Sequence, residues 1–303
     1  MDGERRSQSR NVVTGAGGAL GRALVGLLRE RFPGVEVMEL DLPRCDVVTA
    51  RFADIVRPGD VVYHLAAFVH RLPRTPDEIR QVHEVNHHAT ARLAAACLEV
   101  GATLVFTSTV AVSAGTEYGK SKAAAEEAIR ALGEKGLRYA IVRFPLLYGP
   151  HGHGNMERML TAIRTGRYWP IGDPSTPKSC LYLDDAARAL VAASERGLGG
   201  TFVAAPDPVT TLGEIHAAVY AAAGRRLPSV SVPRGAALAA SRALQAALAL
   251  VGRATRLPEQ VETLTSPAGF DGRPFAQATG FLPEVGLEEG MRRTVQWMEG
   301  RAG

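Results

Sequence analysis

The stretch V-V-T-G-A-G-G-A-L-G at residues 12–21 decides the fold. An apolar pair, a threonine and then Gly15, Gly18 and Gly21 describe a strand that turns sharply into a helix. Glycine admits the positive φ such a turn needs, lets phosphates approach the backbone, and allows the helix to close onto the sheet. The start of the helix offers unbonded N–H groups and the positive end of its dipole, which suits a dinucleotide pyrophosphate. Gly-rich turns also arise for steric reasons alone, so the surrounding sequence has to decide.

Leu20, Leu24, Leu27 and Leu28 follow at helical spacing and Pro33-Gly34 ends the helix. A second strand is predicted at 35–40, stopping at Asp41. An acidic residue at that point is placed to accept hydrogen bonds from an adenosine ribose, although Leu42-Pro43 also fits an aspartate that opens a turn. A carboxylate there favours NAD because it repels a 2′-phosphate; Arg44 keeps NADP open. Asp46-Val47 is expected to start a short third strand, with Asp46 near the adenine, and 60–67 (D-V-V-Y-H-L-A-A) to be a buried strand running into small residues at the cofactor. Alternating strands and helices predict a right-handed, doubly wound parallel α/β sheet of the Rossmann type. The segment 82–100 reads as a helix with Val85, Ala89, Leu93, Ala96 and Cys97 on one face; Asn86 within it either supports the site from below or is a solvent-facing or capping residue.

The strand at 102–107 delivers Ser108 and Thr109 at its carboxyl end, where open parallel sheets bind ligands. Tyr118 and Lys122 follow at i, i+4 on a helix reaching residue 132. A cation beside the phenol lowers its pKa from about 10 and lets it act as acid or base nearer neutrality. Thr109 is placed to hydrogen-bond a reacting substrate oxygen. A bare Y-x-x-x-K is common on exposed helices; the strand-terminal Thr109 and the glycine turn upstream make this one a candidate active site.

Taken in order, T-G-A-G-G-A-L-G, Asp41, H-L-A-A at 64–67, S-T at 108–109, Y-G-K-S-K at 118–122 and R-F-P-L-L-Y-G-P at 143–150 resemble the extended short-chain dehydrogenase/reductase family, in its NAD-dependent sugar epimerase/dehydratase group. The resemblance implies that Thr109, Tyr118 and Lys122 are catalytic. It likewise implies that Gly15, Gly18, Gly21, Asp41, Asp46, Ala66, Lys122 and Pro145 contact the cofactor, with NAD expected and NADP not excluded. Tyr118 would exchange a proton with the substrate hydroxyl, and Lys122 would hold the nicotinamide ribose. Two departures matter. Only residues 110–117 separate Thr109 from Tyr118, shorter than is usual in the family, and Val110-Ala111 stand where dehydrating members carry Asp-Glu. Epimerisation or ketone reduction is therefore preferred over loss of water.

Residues 1–150 are expected to bind the cofactor, with 181–205 returning to that domain, and 151–303 to form a smaller, mixed substrate-binding region. Asn155, Lys178 and Arg273 are its candidate substrate contacts, and Asp184-Asp185 resembles a helix cap. His151 and His153 have no third ligand nearby, so no metal is expected. The segment 234–256 is Ala/Leu-rich and too interrupted by arginine to span a bilayer; at helical spacing Arg234, Arg242, Gln245, Arg253 and Arg256 oppose Leu244, Leu248 and Val251. A solvated basic face over a packed apolar one is expected there, and a membrane-surface role is disfavoured. A net charge of +4 without a Lys/Arg block argues against nucleic acid, three isolated cysteines suggest a reduced compartment, and the polar first eleven residues do not resemble a signal peptide, so a cytoplasmic protein is expected. A homodimer through 82–100 and 118–132 is implied by the resemblance alone. Three functions fit: oxidation or reduction of a ring carbinol of a nucleotide sugar, at C4; the same chemistry on a lipophilic alcohol such as a sterol, polyketide or β-hydroxy acid; and cofactor sensing without turnover.

Overall fold

The computed structural model describes residues 10–69, 73, 75–152, 155–250, 255 and 257–300, the side chain of Asn155 excepted. The chain divides into two units: residues 1–147 with 181–205 and 272–284, and residues 148–180 with 206–271 and 285–303.

The first unit is built on a six-stranded parallel sheet. Its strands are β1 (Asn11–Thr14), β2 (Val37–Leu40), β3 (Val61–His64), β4 (Thr103–Thr109), β5 (Arg138–Phe144) and β8 (Gly200–Val203), in the order β2-β1-β3-β4-β5-β8. Two short strands between them in sequence, β6 (Leu146–Tyr148) and β7 (Cys180–Tyr182), pair separately with each other. The reversal of strand order beside β1 is the switch point at which such sheets open a crevice for ligands.

Both faces of the sheet are covered, which is why its strands read as apolar runs. Val13, Val105 and Val142 pack on one face with Leu24 and Leu28 of α1 (Ala19–Arg31) and Leu190 of α6 (Leu183–Glu195). Val12, Val62, Leu104, Phe106 and Ile141 pack on the other. There they meet Leu93 of α3 (Ala89–Val100) and Ile129 of α4 (Glu117–Gly133). Adjacent strand residues thus alternate between two cores.

Three local expectations are corrected. Asp46-Val47 is not a strand: Asp46 Oδ1 accepts the Val48 N–H at 2.9 Å, and its carbonyl accepts the N–H groups of Thr49 and Ala50, so the aspartate closes a turn. The helix expected to begin at 82 starts earlier, as α2 (Pro76–His83), where Thr75 and Glu78 form a reciprocal capping box. It passes through a π-helical turn at Glu84–His88 before α3. Asp184 and Asp185 lie inside the first turn of α6 rather than capping it; Asp185 accepts the Glu284 N–H at 3.0 Å.

The second unit holds α5 (Asn155–Arg164), α7 (Leu212–Ala222), α8 (Arg234–Leu250), α9 (Leu257–Thr265) and α11 (Leu287–Gly300); α8 packs on α9, and α7 on α11. α10 (Arg273–Thr279) belongs to the first unit. Of the basic amphipathic helix expected at 234–256, α8 covers residues to 250, while Val251, Arg253 and Arg256 lie outside the described residues. The buried residues of α8 are Ala237 and Ser241; Leu244 and Leu248 continue the same helical stripe, Leu248 half-buried and Leu244 51% exposed. No helix among the described residues is long and apolar enough to cross a membrane.

Candidate active site

The glycine turn is fixed by close approach. Gly15 has φ +71°, and a Cβ on it would lie 2.7 Å from the Ala66 backbone nitrogen. A Cβ on Gly21 would run into the carbonyl oxygens of Gly15 and Ala16, so α1 sits against the turn only because that position is glycine. Gly18, the N-cap of α1, is less constrained, its Cβ meeting Gly15 O at 3.3 Å. Gly17 was absent from the fingerprint read in the sequence, yet it is tied to a residue at the turn's rim. Its N–H donates to Asp41 Oδ2, and a Cβ there would collide with that carboxylate. The second glycine of the G-G pair was the available signal.

Asp41 follows β2 and spans the turn, its other oxygen accepting the Leu42 N–H at 2.9 Å. The result is a cradle of bare backbone at a helix N-terminus with a carboxylate at its rim. This donor set fits the pyrophosphate and ribose of a dinucleotide.

A buried polar column runs from this turn to the helix that carries Tyr118. The Ala66 N–H donates to Thr14 Oγ1 at 3.2 Å, and Thr14 Oγ1 lies 2.6 Å from His64 Nδ1. His64 Nε2 lies 2.8 Å from Thr90 Oγ1, which itself donates to the Asn86 carbonyl at 2.8 Å. Because the Thr90 proton is committed there, the pattern assigns the Nε2–H tautomer to His64, with Thr14 donating to Nδ1. Burial, aided by the charge of Lys122, pushes the His64 pKa down to about 3, so the ring is neutral.

Asn86, fully buried in the π-helical turn, accepts the Phe68 N–H at 2.7 Å and donates to Ser121 Oγ at 3.1 Å. Ser121 donates in turn to the Tyr118 carbonyl at 2.8 Å. Asn86 is therefore not solvent-facing.

Thr109 ends β4 in register with Phe144, the residue before buried Pro145. Its Oγ1 accepts the Ala111 N–H at 3.1 Å, a bond that uses a lone pair and leaves the hydroxyl hydrogen for another acceptor. The chain then makes a 3₁₀ turn (Val110–Ser113) whose Ala111 carbonyl presses on Gly119, so the short link between Thr109 and Tyr118 packs onto the first turn of α4.

Ser108 has a separate role. It donates to Glu126 Oε1 at 2.6 Å, and Glu126 also holds Arg143 and Arg130. Burial would raise the Glu126 carboxyl, but hydrogen bonds from Arg143 and Ser108 hold it below the usual carboxylate value.

Lys122, 2% exposed, donates to the Thr107 carbonyl at 2.9 Å, with Nζ 4.4 Å from the centre of the Phe106 ring. Burial pushes its pKa down to about 7, against an opposing pull from Glu126. Tyr118 does not follow the expectation of a lowered pKa: burial raises its phenol to about 12. Burial is the cause, and no contribution from Lys122, whose ammonium is bonded to the Thr107 carbonyl of β4, offsets it. In this form Tyr118 is a protonated donor.

Of the three candidate substrate contacts, Asn155 and Lys178 fall in the second unit and Arg273 in the first. The Lys178 ammonium donates to the Thr263 carbonyl at 2.8 Å in the second unit, and burial lowers its pKa. Arg273 opens α10 in the first unit. Asn155 opens α5, and its side chain lies outside the described residues, as does His153. The His151 ring stands 4.9 Å from that of Trp297.

The family model described as the RmlD substrate binding domain matches residues 9–171, more than half of the chain. The chain belongs to this family. Its resemblance to the extended short-chain dehydrogenases/reductases therefore holds, and it is an enzyme of that type.

A 2-alkyl-3-oxoalkanoate reductase of Stenotrophomonas maltophilia (strain K279a) is 26% identical, over 93% of this chain and 97% of that protein. A UDP-2-acetamido-2,6-beta-L-arabino-hexul-4-ose reductase of Pseudomonas aeruginosa is 29% identical over 69% of this chain and 56% of that protein. Among solved structures, the UDP-glucose 4-epimerase of Thermus thermophilus in complex with NAD superposes with a TM-score of 0.72 at 24% identity. That match covers 96% of this chain and 99% of the other. In this chain the two positions that follow the strand-terminal threonine are Val110 and Ala111, neither of which can donate or accept a proton through its side chain.

Proposed function

We propose that this enzyme binds NAD on the 15–21 turn and interconverts a carbinol and a ketone at C4 of a nucleotide-activated sugar, as an epimerase or a ketone reductase. NAD supplies the hydride acceptor or donor. Tyr118 delivers a proton to the substrate oxygen as the phenol in the reducing direction, and accepts one as the phenolate in the oxidising direction. Thr109 donates its remaining hydroxyl hydrogen to the same oxygen and shares the charge that develops there. Lys122 meets the nicotinamide ribose, and its charge, turned from the Thr107 carbonyl towards the phenol, would bring the Tyr118 pKa down. Asp41 receives the adenosine ribose, with Ala66 and Pro145 lining the cofactor's path, and Asn155, Lys178 and Arg273 remain the candidates for the sugar diphosphate. The subunits pair through the helices at 82–100 and 118–132.

What supports this reading is the placement of Thr109 at the end of β4 and of Tyr118 and Lys122 on α4, whose Lys122 bonds to the β4 backbone, in the sheet whose first turn is the glycine cradle. The kinship with a UDP-sugar reductase supports the sugar.

A second reading, reduction of a lipophilic ketone such as a β-keto acid, is favoured by the match along nearly its whole length to the 2-alkyl-3-oxoalkanoate reductase. Incubation with UDP-glucose, followed by proton NMR of the anomeric signals, tests the first reading; oxidation of the reduced cofactor by a 2-alkyl-3-oxoalkanoate tests the second. In either assay Tyr118→Phe is expected to abolish turnover while leaving NADH binding intact. Full turnover by that variant would refute the proton-transfer role.

A further inference from the structure

Glu126 lies one helical turn beyond Lys122 and two beyond Tyr118 on α4, and it is fully buried. Carboxylates are rarely buried to that degree unless they are paired. Both of its oxygens are committed. Oε1 accepts the Ser108 hydroxyl at 2.6 Å and Arg143 Nε at 2.8 Å, and Oε2 accepts Arg143 Nη2 at 2.5 Å and Arg130 Nη1 at 3.2 Å.

Ser108 and Arg143 stand opposite each other in the register of β4 and β5. Glu126 therefore ties α4 to both strands at a single level of the sheet, and Thr109 is the next residue of β4. Stability alone does not call for this arrangement, because desolvating a carboxylate and a guanidinium costs nearly as much as their attraction returns. What the carboxylate adds is direction. The two-nitrogen contact with Arg143 fixes its plane, and Ser108, having given its proton to Glu126, cannot shift without taking a bond from a buried charge.

The same carboxylate acts on Lys122. The groups around that ammonium are Glu126 on its own helix, the Thr107 carbonyl and Phe106 ring of β4, and His64 of β3, which is neutral. Glu126 itself faces Ser108, Arg143 and Arg130. It favours the charged form of Lys122 against the effect of burial.

We propose that Glu126 is a positioning residue for proton transfer: by holding Ser108 and Arg143 it sets Thr109, at the end of β4, against Tyr118 and Lys122 on α4. It touches neither substrate nor cofactor. The proposal rests on the reading of Thr109, Tyr118 and Lys122 given above.

Glu126→Gln keeps the shape of the side chain and removes its charge. In whichever of the two assays the wild type turns over, this variant is expected to lower kcat at least about tenfold, with KM and the NADH dissociation constant within about twofold of wild type. Ser108→Ala leaves every charge in place and is expected to lower kcat with NADH binding unchanged, and it carries the test if Glu126→Gln does not fold. The double variant is expected to be no slower than Glu126→Gln, because both changes break the same bond.

A readout free of substrate comes from the lysines, of which the chain has four: Lys120, Lys122, Lys135 and Lys178. Carbon-13 labelling of their ε-methylene groups allows each to be followed with pH by NMR, and Lys122→Met assigns the signal of Lys122. That signal is expected to titrate at lower pH in Glu126→Gln than in the wild type, since a neighbouring anion favours an ammonium, and to stay in place in Ser108→Ala. A wild type that turns over neither substrate would count against the reading of the active site and not against Glu126, on which the lysine titration then decides. Unchanged kcat in the variants, losses that multiply in the double variant, or a kcat loss matched by an equal loss of NADH binding would each overturn the proposal. So would a Lys122 signal that does not move to lower pH in Glu126→Gln.

Discussion

Replacing Lys122 by methionine should stabilise the cofactor-free protein near neutral pH while abolishing turnover. Lys122 is buried, its pKa is pushed from 10.5 to about 7, and the nearest opposite charge, Glu126, only partly offsets the burial. Above pH 10.5 the amine is neutral in folded and unfolded chains alike and its burial carries no ionic cost. Between about 10.5 and 7 the unfolded chain holds a proton that the folded chain does not, so stability falls as pH falls through this window. At pH 7 the accumulated cost is about 4 kcal/mol.

Methionine removes that cost but also loses the hydrogen bond to Thr107, about 1 kcal/mol, and the contact with Phe106, about 1 kcal/mol. The net gain is about 2 kcal/mol, or about 4 °C in thermal midpoint for a chain of this size. Near pH 10 the ionic cost has nearly gone and only the losses remain, so the variant should melt below the wild type. Calorimetric scans of both proteins at about pH 7 and about pH 10 test this. A variant less stable than the wild type by the same amount at both values would refute the idea that the lysine is held in the core at a cost in stability.

Gly21→Ala should destabilise the protein by about 1–3 kcal/mol and abolish NADH binding in a fluorescence titration, because the added methyl meets backbone carbonyls that cannot move apart. Asp41→Ser should raise the affinity for NADPH relative to NADH by about tenfold, as it removes the charge that opposes a 2′-phosphate. Asn86→Leu strands the Phe68 N–H and Ser121, so it should lower stability by about 2–4 kcal/mol in urea titrations and slow turnover by loosening the turn that carries Tyr118.

The cofactor half was legible because its constraints are local. A strand, three glycines and a leucine-spaced helix in one continuous stretch specify β1, the turn and α1, and the apolar runs at 61–64 and 103–109 specify strands buried on both faces. What sequence could not show depended on partners distant along the chain. The Gly17 N–H is bonded by Asp41, 24 residues away, and Lys122 is bonded to a carbonyl on another element. Asp46 was misplaced for the opposite reason: its side chain bonds two residues on, and this local alternative outcompetes a strand. The π-helical turn at 84–88 leaves no mark in apolar spacing, because one extra residue in a turn shifts the pattern less than ordinary variation does.

The polar column from Thr14 through His64 and Thr90 to Asn86 occupies an interior that apolar side chains could fill at least as stably. Each of its hydrogen bonds contributes about 1 kcal/mol net, whereas any one left unmade costs about 1–3 kcal/mol. Such an arrangement adds little stability and instead penalises every alternative packing. It fixes the 65–68 backbone against the glycine turn at one end and, through Asn86 and Ser121, the carbonyl of Tyr118 at the other. Hydride transfer tolerates little misplacement between the cofactor and the proton donor. A neutral histidine and a fully bonded asparagine hold that spacing without placing a charge beside Lys122, whose own pKa a buried imidazolium would depress further. The column thus accounts for why His64, Asn86 and Thr90 are polar at positions that are fully buried.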